Sequence, residues 1–311
     1  MAEMVLVTGG AGFIGSHLVR RLLRDGYRVR VLDNLATGKA ANLAPVREQI
    51  EFIEGSITDD ETAVRAVEGA QYVLHQAAIP SVPRSIADPL ASHLENSTGT
   101  LTLLCAARDA SVKRFVYAAS SSAYGDTPTL PKVETMRTDP LSPYAVAKLS
   151  GENYCRTFHQ VYGLETVALR YFNIFGPRQD PKSLYSAVIP KFITAILEDR
   201  EIAIYGDGEH SRDFTFVDNV VAANLLAMTT PDIGGQMCNI ACGQRFSLNE
   251  LIERLGAITG KTPRVEYQAR RAGDVQHSLA DISRARELLG YEPRVSFDEG
   301  LQQTVAYFKS L

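Results

Sequence analysis

The stretch Thr8–Leu18 reads TGGAGFIGSHL, setting Gly9, Gly12 and Gly15 at the junction of an apolar run, MVLVT (4–8), and an amphipathic one, FIGSHLVRRLLRDG (13–26). Glycines at these positions allow a tight turn, close approach of backbone to a pyrophosphate, and tight packing of the following helix on the strand. The helix N-terminus adds unpaired N–H groups that suit phosphate oxygens. A glycine-rich turn alone would be only a tight connection. Here Asp33 also closes the next apolar run, YRVRVLD, 18 residues beyond Gly15, which completes the pattern of a dinucleotide site. A carboxylate at that place accepts hydrogen bonds from the adenosine ribose hydroxyls and repels a 2′-phosphate, so NAD is expected rather than NADP. The neighbouring cations Arg30 and Lys39 read as solvent-exposed charges.

Outward from this loop, β-branched runs alternate with helical patterns: IEFIEGS, DETAVRAVEG, QYVLHQAA, a long helix near Ala91 to Ala110, and RFVYAAS. Such a succession folds as parallel strands with right-handed crossovers. The expected class is α/β, a Rossmann-type doubly wound parallel sheet with a smaller C-terminal α/β substrate domain. After Asn173 the texture shifts to loops rich in Pro, Gly and Asp (GPRQDPKS, GDGEHSRD). The expected boundaries are therefore 1–172 for the NAD-binding domain and 173–311 for the second, with segments near 213–229 returning to the first.

The chain's 311 residues carry 45% hydrophobic and 22% charged residues and a net charge of −4. There is no basic excess to hold a nucleic-acid backbone, and no apolar run approaches the ~20 residues of a membrane span. The N-terminus enters a strand directly, with no charged leader region, so a cytoplasmic protein is expected. Cys105, Cys155, Cys238 and Cys242 are scattered and lack companion histidines, which points to reduced, buried thiols and no metal. The six histidines, His17 and His75 among them, are isolated and read as structural or surface residues.

The stretch Ala118–Lys148, AASSSAYGDTPTLPKVETMRTDPLSPYAVAK, carries the second chemical signal. Tyr144 and Lys148 are one helical turn apart and share a face. Tyrosine is a poor base at neutral pH, its ordinary pKa being about 10, but the lysine charge together with an oxidised nicotinamide ring would favour phenolate. A serine at the preceding strand end can bond the same substrate hydroxyl and steady its proton. A bare Tyr-x-x-x-Lys pair would more simply be a polar turn before an amphipathic helix. Joined to the glycine loop, it reads as chemistry.

TGGAGFIGS, Asp33, the serine cluster before AYG, SPYAVAK and RYFNIFGPRQ together resemble the extended short-chain dehydrogenase/reductase superfamily, and within it the UDP-sugar 4-epimerases. The likeness spans nearly the whole chain. It implies that tyrosine removes the 4-hydroxyl proton while hydride passes from C4 to NAD, and that the 4-keto sugar then turns over and receives hydride on its other face. By that resemblance Tyr144 is the base, Lys148 its electrostatic partner and a ribose ligand, and Ser120 the catalytic hydroxyl. Ser121 and Ser122 would face the sugar. Related dehydratases resemble Thr-Asp-Glu at these three positions, and the absence of both carboxylates argues against dehydration. Cofactor contacts are implied at Gly9, Gly12, Phe13, Ile14, Gly15, Asp33, Asn34 and Gly38, and further along at Ser56, Ile57, Gln76, Ala77, Ala78, Asn96 and Tyr171. Many relatives carry an acidic residue where this chain has Ser56 and Ile57, so one adenine hydrogen bond is weakened.

On the substrate side the resemblance assigns Asn173 to the diphosphate or sugar, Val188, Ile189 and Lys191 to the segment clasping uracil, and Tyr205 to the base. By the same resemblance Arg212 and Arg271 would form a diphosphate clamp by charge-assisted bonds, and Asp274 would meet the ribose. Ser278 stands where glucose-restricted relatives carry a bulky tyrosine, leaving room for a 2-acetamido group. The implied substrates are UDP-N-acetylglucosamine and UDP-N-acetylgalactosamine, with UDP-glucose and UDP-galactose also accepted. Asp180 would disfavour a uronate carboxylate. The competing readings are a uronate epimerase, decarboxylase or reductase on the same scaffold, and a non-catalytic NAD sensor. The resemblance also implies a homodimer, through a four-helix bundle of the helices near Ala91 to Ala110 and Tyr144 to Tyr162.

Overall fold

The computed structural model describes residues 2–181, 188–269 and 276–311. Strands β1 (Met4–Thr8), β2 (Arg28–Asp33), β3 (Ile50–Glu54), β4 (Tyr72–His75), β5 (Arg114–Ser120) and β6 (Thr166–Tyr171) share one sheet with a seventh strand, Gln236–Ile240. Every pairing is parallel, in the spatial order β3-β2-β1-β4-β5-β6 followed by Gln236–Ile240. The central runs are apolar throughout because helices cover both faces: β1 and β6 are buried along their whole length. The strand order reverses between β1 and β4, which opens a crevice at their C-terminal ends. This is the Rossmann-type fold read from the alternation of runs.

Helices α1 (Phe13–Arg24), α2 (Asp60–Val67), α3 (Val82–Ala87), α4 (Pro89–His93), α5 (Gly99–Asp109), α6 (Pro143–Tyr162), α7 (Val188–Leu197) and α8 (Val217–Thr229) are followed, among the described residues, by three more, Leu248–Thr259, Ser283–Leu289 and Phe297–Lys309. On one face of the sheet Leu18, Val19 and Leu22 of α1 share a core with Val220, Val221 and Ala227 of α8. On the other, Ala63 of α2, Leu103 and Leu104 of α5, and Cys155 and Phe158 of α6 form a second core. A third core, around Phe175, Ile189, Phe192, Phe214, Phe216 and Phe297, belongs to the later half of the chain. There the Phe246 and Phe297 rings stack with centroids 4.3 Å apart.

Two details differ from the sequence reading. The long helix near Ala91 to Ala110 is interrupted by a π-helical turn, Leu94–Thr98, which turns Asn96 inward: its side chain bonds both the N–H and the carbonyl of Ile79, at 2.8 and 3.1 Å. The return of late segments to the first domain also runs beyond 213–229, because Gln236–Ile240 pairs with β6 and Ala285, Leu289 and Tyr291 join the core beneath it. A five-residue strand edge is too short to announce its partner in sequence. All four cysteines are free thiols, Cys155 and Cys238 buried and Cys105 and Cys242 only partly so. Among the described residues no helix is long and apolar enough to cross a membrane.

Candidate active site

A groove of about 840 Å³ lies over the crevice between β1 and β4. Its floor is the glycine loop, and the structure explains each glycine there. Gly9 has a left-handed φ of +67°, and a Cβ on it would sit 2.7 Å from the Ala77 nitrogen; a Cβ on Gly15 would sit 2.1 Å from the Gly9 carbonyl oxygen. Gly12 caps α1 without a side-chain hydrogen bond, so the first-turn N–H groups stay open toward the groove. Asp33 Oδ2 accepts from the Ala11 N–H at 2.9 Å and Oδ1 from the Leu35 N–H at 2.8 Å. Burial raises its carboxyl pKa, against the pull of those two bonds. An open helix N-terminus, a backbone shaped for close approach, and a buried carboxylate at the far end fit a dinucleotide.

Asn34, Gly38, Ile57, Gln76, Ala77 and Ala78 line the same groove, as do Phe13, Ile14, Tyr144, Lys148 and Tyr171. Gln76 donates to the Tyr171 hydroxyl at 3.2 Å and to Asn224 Oδ1 at 3.1 Å, a polar network beneath the groove. Ser56 is not on the groove wall, where Gly55 and Ile57 stand; its hydroxyl is 2.8 Å from that of Thr58. Asn96 also stays off the wall and braces Ile79, which is on it.

Helix α6 starts where its sequence demands. Ser142 caps it, accepting from the Ala145 N–H at 3.2 Å, and Pro143 occupies the first turn. Tyr144 and Lys148 thus face the groove from its opening turns. A buried bidentate pair, Arg170 on β6 with Glu152 on α6 at 2.6 and 2.8 Å, ties the helix to the sheet. Burial raises the Tyr144 pKa, and a hydrogen bond with Ser120 pulls it back. Ser120 Oγ in turn accepts from Ser122 Oγ at 2.9 Å and from the Ser122 N–H at 3.2 Å. Lys148 Nζ donates to the Ala118 carbonyl at 2.9 Å, and burial brings its pKa down to about 8. Burial is thus the larger influence on Tyr144 in the protein alone, and the serine bond is what opposes it.

Among the described residues, the substrate-side ones are more dispersed and do not line this groove. Asn173, held at a φ of +38°, donates to the Asp213 carbonyl at 3.0 Å and lies 3.4 Å from Ser278 Oγ, which brings together two residues 105 positions apart. Arg212 donates to the Ser211 and Gln276 carbonyls, each at 3.0 Å. Ile189 is packed into the third core, Val188 stands partly exposed beside it and Lys191 is exposed on α7. Tyr205 ends the strand Ile202–Tyr205. Arg271 and Asp274 lie outside the described residues. Asp180 is 3.0 Å from Lys39 Nζ, so its charge is compensated and opposes a sugar carboxylate less than a free aspartate would.

The model of the NAD-dependent epimerase/dehydratase family matches residues 5–241. The chain belongs to this family. Members similar to it include the UDP-glucose 4-epimerase of Mycolicibacterium smegmatis, 40% identical over 98% of each chain. Among solved family structures, the UDP-N-acetylglucosamine 4-epimerase of Methanobrevibacter ruminantium, in complex with UDP-N-acetylmuramic acid, is 42% identical, with a TM-score of 0.95 over 100% of this chain and 99% of that one. The UDP-glucuronic acid 4-epimerase of Bacillus cereus, in complex with UDP-glucuronic acid and NAD, is 34% identical, with a TM-score of 0.92 over 99% of both chains. Epimerase-family membership makes NAD the cofactor of the groove.

Several groove residues have no site role in the sequence reading, although Arg178 falls within the RYFNIFGPRQ stretch and Lys39 reads there as a solvent-exposed charge. Lys39, Ser81, Arg84, Glu95 and Arg178 all stand on its wall. Ser81 adopts a φ of +116°, a conformation rare for a residue with a side chain. Glu95 is partly buried, which raises its pKa. Only the fold brings these loops to one place.

Proposed function

We propose that the protein interconverts C4 epimers of UDP-hexoses, with UDP-N-acetylglucosamine and UDP-N-acetylgalactosamine as its main pair and UDP-glucose and UDP-galactose also turned over. The observation that carries this reading is Tyr144 and Lys148 together on the wall of the dinucleotide groove, with Ser120 hydrogen-bonded to Tyr144. Bound NAD supplies the hydride acceptor and donor. Gly9, Gly12, Gly15 and Asp33 would hold it.

Tyr144 takes the 4-hydroxyl proton at its phenolic oxygen and returns it on the other epimer. Ser120, fixed by both bonds from Ser122, orients that oxygen and shares the proton's path. Lys148 sits buried behind them, its Nζ anchored on the Ala118 carbonyl, so its charge reaches the site without occupying it. Between the two half-reactions the sugar must rotate, which needs space beside its ring. Ser278, small and set against Asn173, supports room for a 2-acetamido group. The Lys39–Asp180 pair removes one argument against uronates, and the preference for an acetylated sugar rests on Ser278.

The same reading takes the active protein as a homodimer. Leu90 (81% exposed), Val146 (52%) and Val161 (63%) remain uncovered on α4 and α6, and Leu94 follows at the π turn. Positions 146, 154 and 161 fall on one face of α6. These are the helices expected to form a four-helix bundle.

Incubation with UDP-N-acetylglucosamine, UDP-glucose and UDP-glucuronate separately, without added reductant, followed by NMR, tests the assignment. Conversion of the acetylated sugar, with slower conversion of glucose, is expected. Conversion of the uronate alone would overturn the sugar assignment, and conversion of none would overturn the reaction. Tyr144→Phe should keep NAD bound, measured by its release on denaturation, and lose at least about a hundredfold in turnover.

A further inference from the structure

The loop Gly176–Pro181 leaves the second domain and lies against the first turn of α1. The Pro177 carbonyl accepts from His17 Nε2 at 3.0 Å, and Arg178 Nε donates to Ser16 Oγ at 2.9 Å. Ser16 Oγ in turn donates to the Phe13 carbonyl at 2.9 Å, so the arginine is tied to the turn that cradles phosphate. Arg178 holds a φ of +67°, a backbone state that is costly for a residue with a Cβ and persists where surrounding contacts impose it. Its side chain lines the groove together with Gly9, Gly12 and Phe13.

The charge of this arginine is the unexplained quantity. Burial brings its pKa down to about 10, and Arg20 and Arg24 on α1 add like charge. Asp218 is near enough to offset a little of this, yet among the described residues no carboxylate forms an ion pair with Arg178. A desolvated cation beside like charges is costly unless an anion completes the site. The groove offers one place for such an anion, above the open N–H groups of α1.

We infer that Arg178 is a ligand of the cofactor's diphosphate, delivered by the second domain across the groove, and that the Lys39–Asp180 pair bolts its loop in place. Lys39 is anchored on the opposite side, its N–H donating to the Ala11 carbonyl at 3.0 Å. The loop is thus held at α1 and at the segment after β2, spanning the cofactor between them. Diphosphate oxygens would meet backbone N–H groups from below and a guanidinium from above, the arrangement in which arginine binds most strongly. An enzyme that must return the same hydride it removed loses its chemistry if the cofactor departs with it, which gives a second-domain clasp its use. This inference rests on the cofactor groove and is independent of which sugar is turned over.

The test is retention of NAD. Wild type, Arg178→Gln, Arg178→Lys and Asp180→Asn are purified, and bound NAD is measured after denaturation together with its dissociation rate from the intact protein. Removing a charge-assisted bond should speed NAD loss by about tenfold to a hundredfold in Arg178→Gln, with partial recovery in Arg178→Lys. Asp180→Asn should act by about threefold or less, and the difference should vanish at high salt, because the pair is exposed. Affinity for ADP-ribose should fall in parallel while that for adenosine, which lacks a diphosphate, stays unchanged. A folded Arg178→Gln that keeps NAD at the wild-type rate would overturn the inference. Equal losses for adenosine and ADP-ribose would also overturn it, since they would mark general damage to the groove; Arg178→Lys supplies the same comparison should the glutamine variant not fold.

Discussion

Lys148 is held at a cost that its chemistry explains. Its pKa falls from the ordinary 10.5 to about 8 through burial, equivalent to about 3 kcal/mol of unfavourable interaction for the charged form. The unfolded chain carries its proton up to its own, higher pKa, so the penalty is full below about pH 8 and shrinks as pH rises toward 10.5. Lys148→Met removes the charge and also one hydrogen bond to Ala118, worth about 1 kcal/mol. The NAD-free variant should therefore be about 2 kcal/mol more stable than the wild type near pH 7, with the gap narrowing near pH 10, and inactive at both. Thermal melts at the two pH values check the sign. A variant less stable at neutral pH would mean that the buried ammonium is compensated by contacts beyond Ala118.

At the scale of elements, the glycine loop and α1 act as one unit. Gly15 is needed for space: a Cβ there would collide with the Gly9 carbonyl, whereas one on Gly12 would stand 3.1 Å from the same oxygen. Gly15→Ala must push α1 away from the loop and is expected to cost about 3 kcal/mol, with loss of bound NAD. Gly12→Ala should leave stability much closer to wild type while still weakening NAD, because the crowding there is mild but faces the cofactor. Chemical denaturation alongside NAD content separates the two effects. The π turn at Leu94–Thr98 works in the opposite manner, using one extra backbone residue to bury Asn96 and fix Ile79 at the groove wall. Its sequence, LENST, reads as ordinary helix. Asn96 could be picked out by resemblance, but its partner could not.

At the scale of the molecule, a groove lined by residues 9 to 171 is completed by Arg178, Gln179 and Asp180, and an uncovered apolar face remains beside it. Pairing of α4, α5 and α6 with a second copy would bury Leu90, Leu94, Val146 and Val161. The double change Val146→Glu with Val161→Glu places carboxylates on that face and should convert a dimer to a monomer by light scattering, leaving helix content unchanged. A wild-type chain that is already monomeric at micromolar concentration would remove the dimer proposal. The groove itself should survive in the monomer, since the residues that line it all lie within one chain.

What the sequence determined by itself is what local spacing fixes. Three glycines at the junction of a strand and a helix, a carboxylate at the end of the next strand, and a tyrosine one turn before a lysine each define their geometry within a few residues of backbone, so the Rossmann-type sheet, the glycine-floored groove and the shared face of Tyr144 and Lys148 are legible from the string. Only the tertiary structure decided what depends on packing between distant segments. Arg178 reaches Ser16 across 162 positions of chain, Asn173 meets Ser278 across 105, and Gln236–Ile240 finds β6 at the sheet's edge. A helical turn repeats by bond geometry alone, whereas such long-range meetings depend on how the cores of two domains settle against each other, a property that no short window of residues carries.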